Sequence, residues 1–257
     1  MKSLFHLLLL VISLHTSLSA LDDVDLEFEV GMMNASFSGD ISNTVNAVSF
    51  DGDLGYNDNT SSYFSLKAKF GNEWIPVIHV NYKNFSEGQS SVLSNHKIGD
   101  TYFDELTKSN IKYTVLNSIF YYEFKSKGKK KRMFGKQRYT GDLEIDLGVN
   151  VKNIDYSYDM VGNVSGNEEY INVSSSILLP YVGMKYYLYH LSLYADISTL
   201  SFSDVKATSY NFGIDYEMVR NLYLALTYFY EDFEETIIND TVTFKSSGLM
   251  FSVKYDF

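Results

Sequence analysis

Gly248-Leu-Met-Phe-Ser-Val-Lys-Tyr-Asp-Phe257 alternates without a break. Leu249, Phe251, Val253, Tyr255 and Phe257 fall on one face, and Gly248, Met250, Ser252, Lys254 and Asp256 on the other. A period of two with one apolar and one polar face marks a half-buried strand. Chain ends ordinarily fray into water, so a soluble domain gains little by finishing on such a strand. A strand that closes a membrane barrel faces lipid on one side and puts a terminal aromatic in the interface. The segment therefore predicts a chain that crosses a membrane in strands.

The opposite end is expected to agree. Lys2, the apolar stretch Leu4–Leu14 and the small residues around Ser17–Ala20 have the pattern of a secretory signal peptide. Residues 1–20 are expected to be removed, leaving 21–257 as one barrel domain. The chain has no cysteine, which excludes a lipoprotein anchor, a disulfide framework and thiolate metal sites. A mean hydropathy of −0.13 fits a barrel in which every second residue faces a polar lumen. The 22 Tyr and 18 Phe, against one Trp and two Pro, favour strands and aromatic girdles. A net charge of −11 argues against nucleic-acid binding, which needs basic surface.

Ten strand-like segments can be read. They lie at about Leu26–Ser38, Tyr63–Phe70, Ile75–Phe85, Ile111–Phe124, Asp142–Lys152, Val173–Tyr187, Leu191–Ser198, Ser209–Met218, Leu222–Phe229 and from Thr243 onward. The fifth is the cleanest, with Leu143, Ile145, Leu147, Val149 and Val151 facing away from Asp142, Glu144, Asp146, Gly148, Asn150 and Lys152. The fourth is irregular, and the sixth contains Pro180, so 8 or 12 strands remain open alternatives. Connections after even segments are mostly tight, as at Gly71–Glu73, Leu188–His190 and Val219–Asn221, the exception being the basic stretch after the fourth. Those after odd segments, Gly39–Thr60, Ser86–Asn110 and Tyr156–Asn172, are long and polar. The expected fold class is all-β: a single antiparallel transmembrane β-barrel of about ten strands with both termini periplasmic. Phe70, Trp74, Phe124, Tyr186, Tyr187, Tyr216, Tyr255 and Phe257 are expected in its girdles.

Several segments resemble a family of small Gram-negative outer-membrane β-barrel proteins known mainly by sequence pattern. They are Val30–Ile41, Asp53–Asp58, Trp74–Tyr82, Ile119–Glu123, Leu147-Gly148, Leu179-Pro-Tyr181 and Tyr210–Tyr216. The last ten residues likewise resemble the C-terminal assembly signal of bacterial outer-membrane barrels. The chain differs from the family at Met32-Met33, where an aromatic is usual, and in its enlarged basic stretch. The resemblance implies fold and an outer-membrane location. Its partners would be the lipid bilayer with lipopolysaccharide, and the barrel-assembly machinery through the C-terminal strand.

No residue set points to catalysis, a cofactor or a metal. Outside the signal segment the histidines are His79, expected in the lumen, His96, in a loop with Asp100 and Asp104, and His190, on a turn. None comes with an identifiable nucleophile at a matched height, as nucleophilic catalysis requires. Asp51-Gly-Asp53 with Asn57, Asp58 and Asn59 partly matches a calcium loop. Tyr56 stands at position 6 and Ser62 at position 12, where that pattern needs Gly and Glu. Lys67, Lys69, Lys83, Asp142, Glu144, Asp146, Asp196, Asp215, Glu217 and Lys254 are expected in the lumen. In a barrel this small they are expected to pair across the interior and fill it. Lys125–Arg138 carries eight basic residues on a periplasmic connection, suited to anionic headgroups or to plain solvation. The expected role is structural or surface interaction. A narrow channel or small-solute transporter is the alternative, and an enzyme acting on lipid A or peptides is a lesser one.

Overall fold

The computed structural model describes residues 24–257 except 43–46, 57, 95, 99, 100, 127, 128, 134, 135, 203, 204, 238 and 239. The expected signal peptide, Asn57 and Asp100 lie outside the described residues. The strands are β1 (Val24–Ser42), β2 (Ala47–Ser49), β3 (Asn59–Phe70), β4 (Val77–Val92), β5 (His96–Ile98), β6 (Thr101–Phe103), β7 (Leu106–Lys125) and β8 (Lys129–Met133). They continue with β9 (Lys136–Thr140), β10 (Asp142–Gly162), β11 (Glu168–Leu188), β12 (Leu191–Ser201), β13 (Val205–Val219), β14 (Leu222–Ile237) and β15 (Asp240–Asp256). The order β1-β3-β4-β7-β10-β11-β12-β13-β14-β15 is antiparallel throughout, and β15 returns to pair with β1. This is a closed barrel of 10 strands. The closing ladder runs from Glu27↔Asp256 to Ser42↔Thr241, so the alternating C-terminal segment is the seam.

Each expected segment coincides with one barrel strand. The irregular fourth segment is β7, whose inward Ile111, Tyr113, Val115, Asn117, Ile119 and Tyr121 alternate with outward residues. Pro180 stands opposite Val149 on β10, one residue beyond the β11–β12 ladder, which runs from Tyr181↔Ser198 to Leu188↔Leu191. Pro180 thus lies inside the β10–β11 ladder but past the end of the β11–β12 ladder, so on the β12 side its missing N–H breaks no pairing.

The outer face is apolar along Leu143–Val151 of β10, Leu116–Phe124 of β7, Leu178–Leu188 of β11 and Leu249–Phe257 at the C-terminus. These runs match the roughly 9–11 residues that a tilted strand needs to cross a bilayer's hydrocarbon core. Such exposed apolar surface is unstable in water and stable in lipid.

Beyond the belt both faces change character at the same level. Along β10 the outward series passes from Val149 and Val151 to Asn153, Asp155 and Ser157. The inward series passes from Glu144, Asp146, Asn150 and Lys152 to Ile154, Tyr156, Tyr158 and Met160. The same switch falls between Met32 and Asn34 on β1, Tyr82 and Asn84 on β4, and Leu249 and Ser247 on β15. One half of the barrel is thus apolar outside and polar inside; the other half is the reverse.

The polar-walled half also splits. The β3–β4 ladder begins at Tyr63↔Lys83, and the β11–β12 ladder ends at Tyr181↔Ser198. Further from the belt, β4, β7, β10 and β11 continue as one sheet and β12–β15 with β1 to β3 as another. They enclose a core of Phe37, Phe85, Tyr113, Tyr156, Phe229, Phe233 and Phe244. Tyr113 stacks on Phe244 at 3.8 Å between centroids, and Phe37 meets Phe85 edge-on at 4.8 Å.

The long polar connections are consequently shorter than expected. Between β10 and β11 the ladder reaches Val161↔Glu168, leaving only a turn, and β4–β7 pairing reaches Val92↔Leu106. Asn, Ser and Asp here are the water-facing residues of strands, not loop residues. Tyr187 also differs from its expected girdle place: it lies on the lumen side, its hydroxyl donating to Glu144 at 3.0 Å.

Candidate functional site

The lumen has two storeys. In the belt half, inward charges form three groups. Glu123 accepts from Lys67 at 3.1 Å, from Lys69 and from Lys125, and Lys125 also reaches Glu144 at 2.7 Å. Asp215 binds Lys254 at 2.9 Å and Lys185 at 3.2 Å, with Glu29 3.8 Å from Lys254. Glu231 holds Lys83 at 2.8 Å and Lys152 at 3.5 Å, and all three are nearly inaccessible. Of the expected lumen charges, Asp196 accepts from Asn211 at 2.8 Å, and Glu217 faces His190 Nδ1 at 3.6 Å. Asp142 is half-buried at the start of β10. The pairing across the interior expected from the sequence is therefore present. Glu123, Lys185 and Glu231, which it did not single out, carry much of it, together with Lys152 of the polar face of the fifth segment.

Between these groups lies a cavity of about 100 Å³ lined by Lys67, His79, Asp146, Asn150, Asp196 and Lys254, among others. Its polar lining suits water molecules. Asp146 Oδ1 and Asn150 Oδ1 have no protein partner and face this polar space, where water can satisfy them.

His79 Nε2 lies 2.8 Å from Ser65 Oγ. The hairpin register places Lys67 opposite His79, so Ser65 sits diagonally across from the ring. This Ser–His contact was not legible as a nucleophile pair. Among the described residues no carboxylate hydrogen-bonds the ring, which lines the cavity of about 100 Å³. His96 is the first residue of β5, and His190 lies in the β11–β12 turn, so the three histidines are spread over the barrel.

Glu123, Glu144 and Asp146 offer oxygens within 4.8 Å of one another. Lysine ammonium groups already serve Glu123 and Glu144.

The second storey is capped by the chain itself. The segment between β1 and β3 folds into the mouth and buries Val48, Phe50, Leu54 and Tyr56 almost completely. Phe50 packs 6.2 Å from both Tyr156 and Tyr158, and Tyr56 donates to Ser109 at 2.9 Å. Burial pushes the Tyr56 hydroxyl up to about 12. The acidic residues that partly match a calcium loop have local work. Ser49 donates through its N–H to Asp53 at 2.9 Å and through its hydroxyl to Asp51 at 2.7 Å, tightening the turn. At the far tip Glu105 accepts from the backbone of Ser165 at 3.0 Å. Its hydrogen bonds, that from the Ser165 hydroxyl foremost, lower its carboxyl below the usual range.

An apolar belt of membrane height, a closed antiparallel ladder and a charged interior now stand together. The fold is that of an outer-membrane β-barrel. No family model matches the chain, and no curated protein matches it either. Solved structures similar to it include the outer membrane protease OmpT from Escherichia coli, at 9% identity and a TM-score of 0.49 over 92% of this chain and 97% of that one. The translocator domain of the autotransporter NalP from Neisseria meningitidis matches at 11% identity and a TM-score of 0.45, over 99% and 96%. Ail, the attachment invasion locus protein of Yersinia pestis, matches at 10% identity and a TM-score of 0.38, over 91% and 99%. At this similarity none of them assigns an activity, ligand or partner to the present chain.

Proposed function

We propose that this chain is a filled outer-membrane barrel with a structural or surface-interaction role, carrying no catalytic activity, with both termini in the periplasm. Kinship with the small Gram-negative barrel family belongs to the same reading, as do contacts with lipopolysaccharide and the assembly machinery. The observation that carries it is the aromatic layer of Phe37, Phe85, Tyr113 and Phe244, roofed by Phe50 and Tyr56. Ions entering the charged storey meet a dry core, and desolvating them there is prohibitive. The Ser65–His79 pair has no carboxylate hydrogen-bonded to the ring among the described residues, which supports the non-catalytic reading.

The refolded barrel in planar bilayers is expected to give no stepwise conductance at neutral pH. Discrete openings would favour the narrow channel instead. Placing the termini in the periplasm puts Lys125–Arg138 there as well. Trypsin added to intact cells is expected to spare that stretch and to cut it once the outer membrane is permeabilised. Cleavage there on intact cells would invert the topology.

A further inference from the structure

β8 and β9 form a separate two-stranded sheet between β7 and β10, with β9 touching the end of β11. Its register sets Lys129 opposite Thr140, Lys130 opposite Tyr139, Lys131 opposite Arg138, Arg132 opposite Gln137 and Met133 opposite Lys136. Lys129, Lys130, Lys131, Arg132, Lys136 and Arg138 thus stand on ten strand positions, with no carboxylate between Lys125 and Gly141. Like charges directly opposite, as at Lys131 and Arg138, oppose pairing. A lone hairpin is at best marginally stable in water. A hairpin with this composition calls for an anionic counterpart.

The place of its roots identifies one. Lys125 follows Phe124, and Asp142 precedes Leu143, the residues at which the outward apolar runs of β7 and β10 end. The exposed Trp74, in the neighbouring β3–β4 turn, accepts at its carbonyl from Tyr122 at the same level. The hairpin therefore leaves the barrel at the headgroup plane. Counted from Asp142 at about 3.3 Å per residue, Thr140 stands within about 7 Å of that plane and Lys136 within about 20 Å. The base of the hairpin is therefore within about one Debye length of the surface charge at physiological salt, and the remainder reaches it by lying along the bilayer.

We propose that the β8–β9 hairpin is a docking element for anionic phospholipid headgroups of the leaflet bordering this end of the barrel. Headgroup phosphates supply the counter-charge that the hairpin's own sequence lacks, and the hairpin orders on the bilayer surface. The proposal rests on the membrane reading of the apolar belt, but not on which leaflet this end faces.

The test is hydrogen–deuterium exchange of residues 129–140 in the full barrel, refolded into nanodiscs. One set contains phosphatidylcholine alone, the other phosphatidylcholine with about a third phosphatidylglycerol, enough to give an anionic surface. Exchange in the segment is expected to be at least tenfold slower in the anionic discs, and to speed up again at about 1 M salt, where screening is near complete. A variant with Lys129, Lys130, Lys131 and Arg132 all changed to Gln is expected to exchange equally in both. Equal protection of the unaltered chain in both discs would mean that the barrel rim holds the hairpin, and would overturn the proposal. So would protection that appears only when a soluble anionic polymer is added. Heat-modifiable mobility of the same samples reports the barrel separately, so failure of the membrane reading is distinguishable from failure of the docking.

Discussion

Val253→Arg is expected to destabilise the folded barrel by about 2–4 kcal/mol, whereas Ser247→Arg costs about 0–1 kcal/mol. Both residues point outward on β15, three alternations apart. Val253 lies midway along the apolar run Leu249–Phe257 and pairs with Val30 and Leu224. Ser247 lies just beyond the belt, beside Ser36 and Tyr230. An arginine at 253 must bring its charge into the hydrocarbon or thin the bilayer around it, and one at 247 stays in water. Urea titrations of both variants in phosphatidylcholine vesicles, followed by heat-modifiable mobility, would measure the difference. Equal costs would mean that the belt does not end between these positions. In cells, Phe251→Asp with Val253→Asp, or deletion of Phe257, is expected to deplete folded protein from the outer membrane.

The belt was legible because its signal is local. Each strand repeats an apolar residue every second position over the membrane height, and Leu143–Val151 or Leu249–Phe257 shows this without knowledge of any neighbour. The polar-walled half was not legible for a physical reason. Asn153, Asp155 and Ser157 outside, with Tyr156 and Tyr158 inside, keep the period of two but exchange the meaning of the faces. Serine, asparagine and aspartate then have the composition of a loop, and the inward tyrosines look like isolated aromatics. Extending the alternation of β14 past Phe229 would have placed Glu231 between two inward phenylalanines, the one available hint of a buried carboxylate. Its partners could not be named that way. Lys83 lies 148 residues from Glu231, on a strand that is not its neighbour, so the contact depends on the closed circumference of the barrel. The Ser65–His79 contact lies within one hairpin and follows once the register across Gly71–Pro76 is known.

The Glu231 group gives the second large effect. Lys83, Lys152 and Glu231 are 4%, 1% and 1% exposed, so water does little to solvate any of them. Lys83 Nζ also sits 4.7 Å above the Phe229 ring, and Tyr113 donates to Glu231 at 3.4 Å. Glu231→Leu removes the one carboxylate within salt-bridge distance of both ammonium groups and leaves two like charges buried together. Breaking a buried pair this way costs about 3–5 kcal/mol, because an uncompensated charge remains. The triple change Glu231→Leu, Lys83→Met and Lys152→Met removes the charges along with their need for one another. It is expected to be neutral or to stabilise by about 1–4 kcal/mol. The two variants therefore move in opposite directions although the second contains the first. Urea midpoints in vesicles, compared at matched lipid composition, would read both. A single variant that loses less than about 1 kcal/mol, the size of a solvated ion pair, would show that water reaches these lysines. The burial of this group beneath the aromatic layer, on which the expected cost rests, would then be wrong.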